Sequence, residues 1–167
     1  MVGFRAAVAL FAGIVAGFPA IAAPEAVQFA STDPAATPIS GLLFRPSGAG
    51  PLPAVVMLHG CAGMFSKSGR LKKRPTFWAR WLVDKGYAAL LVDSFSRRGV
   101  GSICQIKKRP INPDLERPFD AYGGLAYLQR LSFIMTERVG LMEWSNGAMT
   151  LLWTPTRHPT TPDNCWP

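Results

Sequence analysis

The chain has 167 residues, 49% of them hydrophobic and 17% charged, with a formal net charge of +8. That length and balance imply one domain with a substantial core and exclude a disordered chain. The basic excess is confined to two clusters, Lys67, Arg70, Lys72, Lys73 and Arg74, then Arg97, Arg98, Lys107, Lys108 and Arg109; no groove-entering or stacking element accompanies them, which excludes a nucleic-acid partner as the first reading.

In chain order, Met1 to Arg5 is a short n-region with one positive charge. Ala6 to Phe18 is an apolar h-region, and Ala20-Ile21-Ala22 is a small-residue cleavage pattern. Residues 1–22 are therefore expected to be a secretory signal peptide, the alternative being an uncleaved anchor helix. The apolar run is shorter than the roughly 20 residues a membrane span needs. The expected location is periplasmic or secreted, with no stable membrane insertion after cleavage. Residues 23–38, rich in alanine, proline and small polar residues, read as a leader or edge segment.

Ile39 to Arg45 reads as an outer strand, and Pro46 to Pro53 is turn chemistry throughout. Ala54 to Leu58 is a β-branched apolar run of the kind buried on both faces of a parallel sheet. It ends at His59-Gly60-Cys61-Ala62-Gly63, where two glycines allow a sharp turn. Thr76 to Lys85 has helical periodicity, with Phe77, Trp78, Trp81 and Leu82 on one face and Gly86 as a stop. Tyr87 to Val92 is the next buried strand, closed by Asp93-Ser94. A glycine-, arginine- and lysine-rich loop follows to about Pro118. Phe119 to Leu131 returns to helix, with Ala121, Leu125 and Leu128 toward the core.

The last apolar strand, Val139 to Met142, stops at Glu143-Trp144-Ser145-Asn146-Gly147, and a buried helix begins at once with Ala148 to Trp153. The alternation of strand and helix implies an α/β fold, a mostly parallel sheet with helices on both faces. In such sheets ligands bind beyond the carboxyl ends of the strands. His59-Gly60, Asp93-Ser94 and Ser145 are all expected there. The domain spans residues 39–153, and 154–167 is a proline-rich tail.

A serine at a tight strand-to-helix turn can expose its hydroxyl beside free helix N–H groups. Ser145 is thus a candidate nucleophile, with the alternative that it caps the helix. Glu143 stands where the usual G-x-S-x-G elbow has its first glycine, so it must point outward or strain the turn. The backbone N–H of Asn146 and that of Cys61 are candidate oxyanion donors, each worth roughly 3–4 kcal/mol in an acyl-transfer transition state. The alternative for His59 to Gly63 is an ordinary glycine turn. His59, Gly60, Trp144, Arg97 and Arg98 are candidate substrate-contacting residues. The basic clusters are either solvated loops or a means of attracting an anionic substrate. The three cysteines fit no zinc pattern; in an oxidising compartment Cys61 and Cys104 could pair and leave Cys165 over.

The segments Pro53 to Gly63, Gly86 to Phe95 and Arg138 to Gly147 together resemble the dienelactone hydrolase family of the α/β-hydrolase fold, over roughly residues 40 to 153. The resemblance implies hydrolysis of a small ester or lactone through an acyl-enzyme, without cofactor or metal. Dienelactone hydrolase itself has cysteine at the elbow, so the serine is similar to the wider family and the dienelactone substrate does not carry over. The family also implies a triad in the chain order Ser, Asp or Glu, then His, and a structural histidine on the oxyanion loop. The chain ends at Pro167, soon after Ser145, and its one downstream histidine, His158, precedes Asp163. The expectation is a C-terminally truncated domain. The alternative function is a non-catalytic remnant or a ligand-binding pseudoenzyme lacking the triad acid and histidine. A sheet ending at the Ser145 strand would leave an apolar edge, so self-association is expected.

Overall fold

The computed structural model describes residues 23–48 and 50–154. The expected signal peptide and the tail beyond Thr154, including His158, Asp163 and Cys165, lie outside the described residues. Five strands form one sheet in the order β1-β2-β4-β3-β5. They are β1 (Glu25–Ala30), β2 (Pro38–Phe44), β3 (Leu52–Leu58), β4 (Ala88–Asp93) and β5 (Ile134–Glu143). Helices α1 (Lys73–Asp84), α2 (Glu116–Gln129) and α3 (Asn146–Trp153) follow β3, β4 and β5 in turn.

The sheet is mixed. β3 pairs in parallel with β4 and β5, whereas β1–β2 and β2–β4 are antiparallel. The parallel centre follows from the apolar runs, since every residue of β4 is buried and so must be covered by a helix on each face. One face packs Val56, Leu58, Leu90 and Val92 against Ala121, Leu125 and Leu128 of α2. The other packs Val55, Met57 and Leu91 against Ala79, Leu82 and Val83 of α1. Register aligns Leu58 with Val92 on one side and with Glu143 on the other. The carboxyl ends of the three parallel strands therefore finish level.

Helix α3, expected to be buried, buries only Asn146, Gly147 and Thr150 and exposes Met149, Leu151, Leu152 and Trp153, because no further strand or helix among the described residues covers its outer face; three other elements also differ from expectation. The strand read as outermost, β2, is covered by edge strand β1 from the 23–38 stretch, in which Val27 is buried; a single alternation of Val27 and Phe29 is too short to decide between a leader and an edge segment in an alanine- and proline-rich sequence. The buried face of α1 is Pro75, Ala79, Leu82 and Val83, while Phe77 and Trp81 are 62% and 42% exposed. Small Ala79 lets the helix lie close to the sheet, and there is no room beneath it for two aromatic rings, which pair instead with Trp78 along the surface. β5 starts at Ile134, earlier than its apolar run, because Leu52 pairs with Ile134 and a register shift precedes the Ala54–Val139 pair. No helix among the described residues is long and apolar enough to cross a membrane.

Candidate active site

Ser145 joins the end of β5 to the first turn of α3. Its backbone has φ 53° and ψ −113°, a positive-φ conformation that a residue with a Cβ adopts at a cost of about 1–3 kcal/mol. Its side chain makes no capping hydrogen bond to the helix it precedes. The residue is exposed. The tight turn is closed by Gly147 N–H donating to Trp144 O at 2.9 Å, and the helix begins with Met149 N–H donating to Ser145 O at 3.1 Å. This bend is possible because Gly147 has no Cβ. One placed there would lie 2.7 Å from Leu58 O and 3.1 Å from His59 O. The end of β3 and the start of α3 are thus in backbone contact.

The turn after β3 meets Ser145 directly. A Cβ on Gly60 would lie 3.4 Å from Ser145 Cβ and 3.9 Å from its Oγ. Gly63 N–H donates to Gly60 O at 3.1 Å, so residues 60–63 form a closed turn with Cys61 near its apex. Asn146 is the first residue of α3, where helix N–H groups have no intrahelical partner. The turn that carries Cys61 thus adjoins Ser145, and Asn146 follows it in the chain. A cleft of about 370 Å³ opens at this point, lined by His59 to Gly63, Lys72, Arg74, Pro75, Trp144 and Ser145.

His59 is buried and locked. A carbonyl only accepts, so His59 Nδ1 carries the hydrogen and donates to Gly60 O at 2.8 Å. Its Nε2 stands 3.8 Å from Asp93 Oδ1, beyond hydrogen-bonding range. Burial, with the Arg117 charge behind it, lowers its pKa to about 3. It is the only histidine among the described residues, and it shapes the turn rather than reaching for a proton. Asp93 Oδ1 accepts the N–H groups of Phe95 and Ser96 at 3.1 Å each, so that carboxylate closes its own loop.

Glu143 does not point outward. It lies along the flank of α3, where Oε2 accepts Leu151 N–H at 3.1 Å. Burial raises its pKa to about 7, against the opposing pull of Arg117. The strain of the elbow falls on Ser145 itself, and the glutamate leans over the helix flank.

Arg97 and Arg98 lie away from the cleft. Arg97 donates to Gln28 Oε1 at 2.7 Å, and Arg98 makes a fork to Asp120 at 2.8 and 2.9 Å. They tie the loop after β4 to β1 and α2. The cations at the cleft are Lys72, which also donates to Ala62 O, and Arg74. Both belong to the first basic cluster, but sequence alone does not say which of its five members turn inward. Cys61 and Cys104 form a disulfide, and Ile103 N–H donates to Cys61 O at 2.8 Å. The long loop is thereby fastened to the candidate oxyanion turn. Among the described residues no group of three or more His, Cys, Asp or Glu could hold a metal ion.

No protein-family model matches the chain, and no curated protein does. Solved structures do. The chain is similar to 2,6-dihydroxy-pseudo-oxynicotine hydrolase, at 23% identity and TM-score 0.59 over 81% of this chain and 34% of that one. It is similar to the alpha/beta hydrolase GrgF from Penicillium sp. sh18, at 20% identity and TM-score 0.57, over 78% and 40%. It is also similar to esterase Est22, at 18% identity and TM-score 0.54, over 77% and 37%. The fold is that of the α/β hydrolases, of which these residues form a part. The chain spans about a third to two-fifths of the length of these structures.

Proposed function

We propose that this chain carries the nucleophile half of an exported serine hydrolase of dienelactone-hydrolase type. The observation that supports it best is the Ser145 bend: an exposed, uncapped hydroxyl on a positive-φ residue, set against the Gly60 turn. A helix cap needs neither the strain nor the apposed turn. In this reading Ser145 Oγ gives its proton to solvent hydroxide as it attacks the carbonyl carbon of a small ester or lactone, and the carbonyl π pair moves onto oxygen. The N–H groups of Cys61 and Asn146 hold that oxyanion. The tetrahedral intermediate collapses by breaking the bond to the alkoxide, which takes a proton from solvent; water then adds to the acyl-enzyme, the acyl–Oγ bond breaks, and the acid leaves as Ser145 regains a proton from solvent. Lys72 and Arg74 at the cleft favour a substrate with a carboxylate. The Cys61–Cys104 bridge fits an oxidising compartment, in keeping with export.

A second reading rests on His59. The one histidine of the described residues is held neutral and bonded to its own turn, so no base stands among them to activate Ser145. In that reading the chain is a non-catalytic remnant or ligand-binding pseudoenzyme. Hydrolysis of p-nitrophenyl acetate and of mono-p-nitrophenyl succinate separates the two. The hydrolase reading expects release above the Ser145→Ala background, with the succinate favoured at low salt and that preference lost at high salt. Equal rates for the chain and Ser145→Ala favour the pseudoenzyme.

A further inference from the structure

Among the described residues Arg117 is the only lysine or arginine that is buried, at 0% exposure. It sits in the first turn of α2 and does not line the cleft. Its Nη1 donates to Asn146 Oδ1 at 2.6 Å, and its Nη2 donates to the His59 backbone O at 2.6 Å. The guanidinium carbon lies 5.4 Å from the centroid of the Phe95 ring. The same ring meets His59 edge-on at 4.4 Å.

Both hydrogen-bond acceptors are neutral. Asp120, Glu143 and Asp93 lie near enough to favour the Arg117 charge, yet its hydrogen bonds go to neutral groups alone, and an unbranched apolar side chain of similar length would fill the space without burying a cation. What an apolar side chain lacks is a rigid planar fork. The two tines of this fork hold two segments that no strand ladder joins at this point. One is the carbonyl that starts the 59–63 turn. The other is the side chain of the first residue of α3. With the plane fixed, the spacing and tilt of those segments are fixed together. They are also the segments that adjoin Ser145.

We propose that Arg117 is a positioning residue for the oxyanion site, setting the His59 turn and the Asn146 end of α3 so that the N–H groups of Cys61 and Asn146 converge beside Ser145. The inference rests on the hydrolase reading given above. Arg117 acts through the His59 carbonyl and the Asn146 side chain, and it need not touch substrate. Asn146 then has two roles on two atoms. Its backbone N–H faces the oxyanion, and its Oδ1 anchors it to the fork.

The test uses the full chain and the variants Arg117→Met, Arg117→Lys and Asn146→Ala, with two readouts. The first is the rate of fluorophosphonate labelling per folded molecule, the folded fraction being taken from circular dichroism. The second is amide hydrogen exchange by peptide. Arg117→Met should label about 10²-fold more slowly, the loss expected from a shift of about 1 Å in a reacting group's surroundings. Arg117→Lys keeps the charge without the fork and should remain slow. Asn146→Ala keeps its N–H and should also slow labelling. Combining it with Arg117→Met should add little, because both break one connection. Exchange should rise together at 59–63 and 145–148 and stay unchanged in β1 and β2.

Labelling of folded Arg117→Met within about twofold of the parent overturns the proposal. Unchanged exchange in the two segments does so as well. Should Arg117→Met not fold, Arg117→Lys and Asn146→Ala carry the same comparison. Equal labelling of the parent and Ser145→Ala instead removes the hydrolase reading, and the catalytic consequence of the fork falls with it. Exchange then decides on its own whether Arg117 holds the two segments.

Discussion

Replacing Cys61 and Cys104 together by alanine removes the bridge without leaving an unpaired thiol. The bridge spans a sequence separation of 43 residues. In the chain-entropy treatment, closing a loop of that length restricts the unfolded chain by about 4 kcal/mol at 25 °C. The folded side of the balance changes less. Ile103 and Ile111 stay buried against Phe95, and the Ile103–Cys61 backbone hydrogen bond is independent of sulfur. The double variant should therefore unfold at a lower urea midpoint with an extrapolated loss of about 4 kcal/mol. Dithiothreitol should move the parent toward the same curve and leave the variant unmoved. A thiol titration of the denatured, non-reduced parent should find Cys165 alone. A variant within about 1 kcal/mol of the parent refutes the reasoning. Three titrating thiols would show that the bridge is not formed.

Gly147→Ala drives a Cβ into Leu58 O and His59 O; because both are backbone, the expected cost is about 1–3 kcal/mol by urea denaturation, and parental stability would contradict the packing. Glu143→Gln should be more stable than the parent at pH 8 and no more stable at pH 4. The carboxyl's pKa is raised by burial to about 7 in the folded chain, so its neutral form is at no disadvantage below the unfolded pKa and stability is lost as pH rises through 7. A gain at both pH values would put the effect elsewhere. His59 runs the other way, its folded pKa of about 3 lying below the ordinary 6.5; stability present above pH 6.5 is lost as pH falls toward 3, at up to about 1.4 kcal/mol per unit, and His59→Gln should flatten that slope. The outer edge of β5 has no strand partner among the described residues, and α3 exposes Met149, Leu151, Leu152 and Trp153. Light scattering should find concentration-dependent association, and a clean monomer at high concentration would count against it.

The sheet centre was legible because its strands are short apolar runs ending in turn residues, a pattern with few other solutions. The elbow was legible for the same reason: Met142 to Gly147 changes character within a single turn. Other features depended on what the chain meets in space. The periodicity of α1 points to a face of Phe77, Trp78, Trp81 and Leu82, and it is the sheet against Ala79 that turns Leu82 and Val83 inward and leaves Phe77 and Trp81 exposed. Arg98 and Arg117 look alike in an arginine-rich region. One is neutralised by a carboxylate fork at Asp120, whereas the other enters the core because a carbonyl and an amide from distant segments converge on it. The Arg117–Asp120 spacing at a helix start hints that both lie on one inner face, but it does not name their partners. The inward turn of Glu143 needed the flank of α3 to be in place.

The most direct measurement is to treat the full chain with a fluorophosphonate and map the adduct by peptide mass spectrometry, with Ser145→Ala in parallel. The account predicts one modified residue, Ser145, and no adduct in the variant. Modification elsewhere, or an unmodified Ser145 in folded protein at long exposure, would contradict it.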